Sequence, residues 1–329
     1  MRIVIPDDYQ DCVRTLDCFA RLAGHEVRIF NDTVKGTEAL AERFAGAEAI
    51  VLTRERTRID AALLDRLPNL RLISQTGKLA GHVDLAACTA RGVVVTEGRG
   101  AGASTAELAW ALMLASRRHL VEEANRLRQG LWQGHLGQQL AGQRLGVWSY
   151  GRIGRQVAAY GRAFGMQVWA WGRDASTQAA RADGFEVAPS REAFFERSDV
   201  ISLHVRLNEH TAGLVREADL DRMKPTALLV NTSRAELIEP GALARALRRG
   251  RPGFAAVDVF EEEPVQGAAH PLLSLPNALC TPHIGYVERD NYERYFGIAF
   301  DHVNRFAEGR LTEAVNPEAL GGPGGAAPA

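Results

Sequence analysis

Residues 145–161, LGVWSYGRIGRQVAAYG, join a short apolar run to a glycine-spaced turn and then to a helical pattern. Ser149, Tyr150, Gly151, Arg152, Ile153 and Gly154 fill the frame GxGxxG, except that serine holds the first position. Gly151 leaves room for the backbone to approach a pyrophosphate, Gly154 lets the helix pack on its strand, and the amides of the helix start face the anion. Alone the turn is a weak signal and could be a plain tight turn. Between a strand and a helix it points to a nucleotide-binding βα unit.

The same alternation extends both ways. RIVI, EVRIF, AIVLT, RLIS and VVVT in the first hundred residues are apolar β-type runs separated by amphipathic or polar segments, the pattern of an α/β domain with a parallel sheet. After the helix-forming stretch STAELAWALMLASRRHLVEEANRLRQG come RLGVWS, QVWAWG, DVISLHV, ALLVNTS, GFAAVDV and ALCTPHI, a second set of strands that reads as buried on both faces. NYERYFGIAFDHVNRFAEG reads as a helix too isolated for the second sheet, so it is expected to return to the first domain. The expectation is an α/β protein of two doubly wound parallel-sheet domains: residues 1–103 with 290–318, and residues 104–289. From 319 to 329 the chain (ending GGPGGAAPA) offers too little apolar surface to order itself and is expected to be a disordered tail.

At 329 residues the chain exceeds the size at which one core usually suffices, in keeping with two domains. Its 39 basic and 40 acidic residues leave a net charge of -1, which favours neither nucleic acid nor an anionic membrane as partner. The longest apolar helical stretch, residues 106–116, is too short to cross a bilayer, and the chain opens as a strand (MRIVIPDD) without a signal-peptide pattern. A cytoplasmic protein is expected. Cys12, Cys18, Cys88 and Cys280 are scattered without CxxC spacing, so neither a metal site nor a disulfide framework is expected.

The candidates for chemistry lie at the ends of the second set of strands. After QVWAW, where a dinucleotide site usually places a ribose-reading acid, stand Gly172, Arg173 and Asp174. A glycine in the acid's place beside an arginine favours NADP over NAD, unless Asp174, two positions late, still reaches the ribose. His204 and Arg206 end DVISLHV, where such strands deliver residues to a ligand, although a histidine there can equally be structural. Arg234 follows ALLVNTS, Glu263 sits in the acidic run before Pro264, and His283 lies between Pro282 and Gly285. A 2-keto acid accepting hydride needs a cation for its carboxylate and carbonyl and a proton donor for the developing alkoxide, and Arg and His supply these. A carboxylate hydrogen-bonded to the histidine would favour imidazolium, and Glu263 is the candidate.

The blocks SYGRIGRQVA, SDVISLHVRL, MKPTALLVNTSRAELIE, AAVDVFEEEP and TPHIG, in this order, resemble the D-isomer-specific 2-hydroxyacid dehydrogenase family over nearly the whole chain. The resemblance implies a flavodoxin-like substrate domain built from both chain ends, a Rossmann cofactor domain inserted between them, NAD(P) as cofactor and a homodimer. It implies catalytic roles for Arg234, Glu263 and His283, a nicotinamide contact for Asp258, and cofactor contacts for Thr105, Thr232 and Ser233. Val205 and Gly285, from the same blocks, and Thr211, four residues beyond SDVISLHVRL, are added as expected cofactor contacts. The stretch QTGKLAGHVDLAACTARGVVVTEG looks like the family's substrate loop, whose amides, here those of Lys78 and Leu79, would bind the substrate carboxylate. Ser149, the Lys78-Leu79 pair and Tyr286 depart from the usual pattern and bear on substrate identity. The sequence looks most like members called phosphoglycerate dehydrogenase, without a regulatory domain. Arg54, Arg56 and Arg58 with Lys78 could hold a substrate phosphate, or form a solvated basic loop. Gly172-Arg173 looks instead like NADPH-using glyoxylate and hydroxypyruvate reductases. A dinucleotide-sensing corepressor on the same fold is the reading from another class, against which the complete Arg, Glu and His set stands.

Overall fold

The computed structural model describes residues 1–100 and 102–321. The chain divides into two compact units, Met1–Ala101 with Glu288–Ala329, and Gly102–Val287. The first unit holds a five-stranded sheet of β1 (Arg2–Ile5), β2 (Glu26–Ile29), β3 (Ala49–Leu52), β4 (Leu72–Gln75) and β5 (Val94–Glu97), all parallel in the order β2-β1-β3-β4-β5. That is the flavodoxin-like order. Every residue of β3 and β4 is buried, as a strand covered on both faces requires. One cover is the helix Arg289–Ala307, whose Ala299 carbonyl accepts a hydrogen bond from Ser74 Oγ at 3.1 Å. Its Glu293 carboxylate accepts the backbone N–H groups of Asp17 (2.6 Å) and Cys18 (2.9 Å).

The second unit holds seven parallel strands: β6 (Arg144–Trp148), β7 (Gln167–Trp171), β8 (Glu186–Val187), β9 (Val200–Leu203), β10 (Leu228–Asn231), β11 (Phe254–Val257) and β12 (Ala278–Cys280). Their order is β12-β11-β10-β9-β6-β7-β8, so the sheet reverses direction of growth between β6 and β9. This is the Rossmann order with one strand added beyond β11, and ligands of such sheets bind outside the carboxyl ends at the reversal. Alternate strand residues serve two cores. Leu203, Leu229, Ala255 and Val257 face the layer of Phe194, Leu220, Leu243 and Leu247. Val200, Leu228, Val230 and Ala256 face Ala106, Met113, Val157 and Ala158.

Two features differ from the sequence reading. The helix-forming stretch is two helices, Ala103–Arg117 and Leu120–Arg128, because His119 takes a left-handed φ of 51° that no helix continues through. β8 went unread because only two residues pair, too short for an alternation to register. At the C-terminus, Pro317–Gly321 form a 3₁₀ turn with Ala319 buried, and the rest of the expected tail lies outside the described residues. Among the described residues no helix is long and apolar enough to cross a membrane, and no group of His, Cys, Asp or Glu is placed to hold a metal ion.

Candidate functional site

Sheet register lines up the candidates of the second unit. Trp148 pairs with Trp171 and Leu203, Leu203 with Asn231, Asn231 with Val257, and Val257 with Cys280. The next residue of each strand therefore falls in one row along the carboxyl edge: Gly172, Ser149, His204, Thr232, Asp258 and Thr281.

At the glycine turn, Ser149 has φ +76°, the left-handed region that favours glycine. Its N–H donates to the Trp171 carbonyl at 2.8 Å. A Cβ on Gly154 would lie 2.2 Å from the Ser149 carbonyl oxygen, so only glycine lets the helix Arg152–Ala163 start so close to β6. A Cβ on Gly151 would meet nothing within 4 Å, which leaves open space in front of the helix N-terminus. Tyr150 differs from the expectation of a cofactor contact. Its side chain is buried and its hydroxyl donates to Asp183 at 2.8 Å, while its N–H is taken by Ser176 Oγ at 2.5 Å. Arg152 and Ile153 open the helix.

After β7, Gly172 stands with φ +156° where the acid was sought; Arg173 and Asp174, at the start of the helix Asp174–Ala182, are both exposed. After β9, the His204 Nε2 lies 2.9 Å from Ser202 Oγ, and its Nδ1 is buried with no partner. Burial pushes this imidazole down to about 4, so the ring is neutral near pH 7. Val205 packs partly into the core, Arg206 is exposed, and Thr211 closes the loop by donating to the Arg206 carbonyl at 2.7 Å. Thr232 Oγ1 is a second buried atom without a partner, whereas Ser233 Oγ donates back to the Leu203 carbonyl at 2.7 Å. Open space before Gly151, the close helix start and the two orphaned polar atoms on the same edge fit a dinucleotide.

The catalytic candidates leave adjacent strands. The Ser233–Arg234 turn after β10 is held by Asn231, whose Nδ2 donates to the Arg234 carbonyl at 2.9 Å and whose Oδ1 accepts the Ser233 N–H at 3.0 Å. Glu263 receives the Phe260 N–H on Oε1 at 2.9 Å, and its Oε2 lies 2.7 Å from His283 Nδ1. Both side chains are 16% exposed, so the pair is largely shielded yet reachable. With Nδ1–H donating to the carboxylate, Nε2 is the atom left to exchange a proton. His283 itself has φ +52°. Its strained turn is clamped by Asp258, which is fully buried and accepts Thr281 Oγ1 (2.6 Å) and the Ile284 N–H (2.8 Å) on Oδ1 and the Gly285 N–H (2.8 Å) on Oδ2. Burial raises the Asp258 carboxyl despite these donors. Thr105 Oγ1 donates to the Gly285 carbonyl at 2.9 Å, which ties the helix Ala103–Arg117 to the same turn. Sequence reading missed the clamping role of Asn231 and Thr281, which no motif spacing marks. The Tyr286 ring, a departure from the family's pattern, lies edge-to-face with His283 at 5.5 Å.

In the first unit, Arg54 has φ +54°, donates its N–H to Thr76 Oγ1 at 2.9 Å, and lies with its guanidinium 5.5 Å from the Tyr295 ring centre. A Cβ on Gly77 would come within 2.1 Å of Arg54 Nη1. With a side chain only 16% exposed, Arg54 is a fixed cation rather than part of a solvated loop. Lys78 is exposed. The Leu79 N–H, expected to face substrate, instead donates to Glu97 Oε2 at 2.9 Å, because Glu97 ends the neighbouring strand β5.

Residues 110–285 match the D-isomer specific 2-hydroxyacid dehydrogenase, NAD binding domain. The chain is 36% identical to the glyoxylate reductase of Aeropyrum pernix over 86% of this chain and 87% of that one. It is 31% identical to the D-3-phosphoglycerate dehydrogenase of Methanocaldococcus jannaschii over 96% of this chain and 59% of that one. A solved phosphoglycerate oxidoreductase from Vibrio cholerae O395 superposes with a TM-score of 0.92 at 49% identity, covering 94% of this chain and 99% of the other. On this match over more than half of its length and these relatives, the chain belongs to the D-isomer specific 2-hydroxyacid dehydrogenase family, NAD(P)-dependent oxidoreductases that act on the CH–OH group of 2-hydroxy acids.

Proposed function

We propose that this enzyme reduces a 2-keto acid with His283 as proton donor, Glu263 as the group that orients and charges it, and Arg234 as the holder of the substrate carboxylate and carbonyl. The observation that carries this reading is the His283 Nδ1 to Glu263 Oε2 contact of 2.7 Å, with Glu263 itself fixed by the Phe260 N–H. The nicotinamide, when bound, supplies the hydride. Nε2 of His283 gives its proton to the carbonyl oxygen as that oxygen becomes negative, and Glu263 stabilises the charged ring until then. His283→Gln should lower kcat by about 10²- to 10⁴-fold while cofactor binding persists. Near-normal turnover in that variant would remove His283 from the mechanism. Glu263→Gln should be milder and should move the alkaline limb of the reduction profile to lower pH, since it withdraws the charge that favours imidazolium.

The cofactor residues proposed are the 151–154 turn, Gly172-Arg173, His204 and Thr232, with NADP(H) preferred because no acid stands at Gly172. The substrate proposed carries a second anionic group, as 3-phosphoglycerate does, with Arg54 and Lys78 as its contacts. The fixed, largely shielded Arg54 guanidinium supports that reading. Relatives called glyoxylate reductase favour a small unphosphorylated acid as the second reading.

The protein is further proposed to be a cytoplasmic homodimer. Four unpaired cysteines suit a reducing compartment. The helix Leu120–Arg128 buries none of its residues, and the segment after it exposes Trp132 (75%) and Leu136 (96%) although Glu123 holds that segment in place through the Gly134 N–H. An ordered apolar face of this kind suits burial against a second copy. Light scattering should give twice the chain mass, and Trp132→Glu should give monomer; a monomeric wild type contradicts it.

A further inference from the structure

Behind the loops that carry Arg234 and Glu263, on the sheet face covered by the helix Ala242–Arg249, lies a cavity of about 330 Å³. Its walls are the segment that follows Arg234 and the loop that follows β11, and its floor is Asn231 and Val257 on the paired strands β10 and β11. Val257 packs on the sheet face opposite the one that bears Val157 and the glycine-turn helix, and Asn231 is paired with it in register. The cavity therefore lies on the opposite face of the sheet from the glycine-turn helix.

Its lining is mostly apolar, with Ile238, Leu243, Ala244, Val259 and Leu272 in the walls. The charged groups that line it, Glu239 and Glu261, are both acids, and no lysine or arginine joins them. His270 accepts the Leu272 N–H on Nδ1 at 3.3 Å, and its Nε2 lies 2.9 Å from Glu261 Oε2. Arg245, whose Nη1 donates to the Pro240 carbonyl at 3.4 Å on the cavity's rim, is held by Glu217 at 2.8 Å, so a carboxylate or phosphate would meet two acids that no lining cation offsets, and the site disfavours 2-keto acids and phosphorylated ligands. An apolar body with an ammonium head suits it, and the volume is that of a small ligand pocket.

We infer that this cavity is a regulatory site for a small apolar ammonium compound, acting on the turn that holds Arg234. The path is short. Asn231, on the floor, makes the two hydrogen bonds that fix the Ser233–Arg234 turn. Glu261, at the wall, is pinned by His270 two residues before Glu263. A ligand wedged between these walls shifts both, and the coupling is reciprocal: the 2-keto acid must change the ligand's affinity by the factor by which the ligand changes the keto acid's. The regulatory half of the inference rests on the proposed role of Arg234, while binding in the cavity does not.

Phenethylammonium is the probe, with 3-phenylpropanoate as a carboxylate of similar shape, added to the enzyme at constant ionic strength. Methyl resonances of Leu243, Val257, Val259 and Leu272 should shift saturably with the ammonium at a Kd of about millimolar, as befits so few atoms, and not with the carboxylate. KM for the 2-keto acid should change at least about fivefold at saturation. Ala244→Leu, which fills the cavity, should abolish both effects while leaving kcat without ligand intact; Glu261→Gln should weaken the ammonium roughly 3- to 5-fold. Absent or non-saturating methyl shifts, shifts that survive Ala244→Leu, or binding that leaves KM unchanged would overturn the inference. Arg234→Lys kinetics test the role of Arg234 separately, so a failure of that reading is distinguishable from a failure of the cavity.

Discussion

Arginine 234 owes its position to an asparagine rather than to its own contacts alone. Asn231 ends β10 and ties both ends of the turn, so the guanidinium is carried on a rigid stub. A planar fork matches a carboxylate and its neighbouring carbonyl in a way an ammonium cannot. Arg234→Lys should therefore lose at least about tenfold in kcat/KM on any 2-keto acid although the charge is kept. Wild-type steady-state kinetics in the Lys variant would mean that only a diffuse positive field is needed. Arg234, Glu263 and His283 stand out as a set in the sequence because each falls within a few residues of the end of an apolar strand, three residues after β10 and β12 and six after β11. The turn strain at Ser149 and His283 was not legible, because neither residue type announces a left-handed conformation; only the missing first glycine hinted at it.

Among the elements, β9 shows how burial decides a side chain's charge. His204 follows it at the edge row, and burial lowers its imidazole from the usual 6.5 to about 4. The unfolded chain thus takes up this proton at higher pH than the folded one. Stability associated with the neutral ring is fully present above pH 6.5 and is lost as pH falls from there through about 4. The ring is not wholly shielded, so the loss is about 1–3 kcal/mol. Denaturant melts across that window should show a shallower acid slope for His204→Asn than for wild type; parallel slopes would mean that His204 is charged or unshifted in the native state. The strands themselves were legible from apolar runs of four or five residues. The break at His119 and the two-residue strand β8 were not, because helix-forming residues run on through the first and the second is shorter than any period.

At the scale of the whole molecule, two parallel sheets with orders β2-β1-β3-β4-β5 and β12-β11-β10-β9-β6-β7-β8 were foreseeable as a class, since buried strands alternated with helical patterns along the chain. What sequence could not give was which amides and hydroxyls remain available. The Leu79 N–H goes to Glu97 and the Tyr150 N–H to Ser176, both pairings between residues far apart in the chain. The proposed function therefore assigns cofactor choice to Gly172 and Arg173 and substrate choice to Arg54 and Lys78. The most direct test is the steady-state reduction of glyoxylate, hydroxypyruvate and 3-phosphohydroxypyruvate with NADPH and NADH in parallel. The account predicts turnover of 2-keto acids, a preference for NADPH of roughly 10- to 100-fold, the worth of one charge-assisted hydrogen bond, and the highest kcat/KM on the phosphorylated acid, with an advantage that shrinks at high salt. No turnover of any 2-keto acid with either cofactor would contradict the central claim. Equal or better use of NADH would assign the ribose to Asp174, and indifference to the phosphate would leave a reductase of small 2-keto acids.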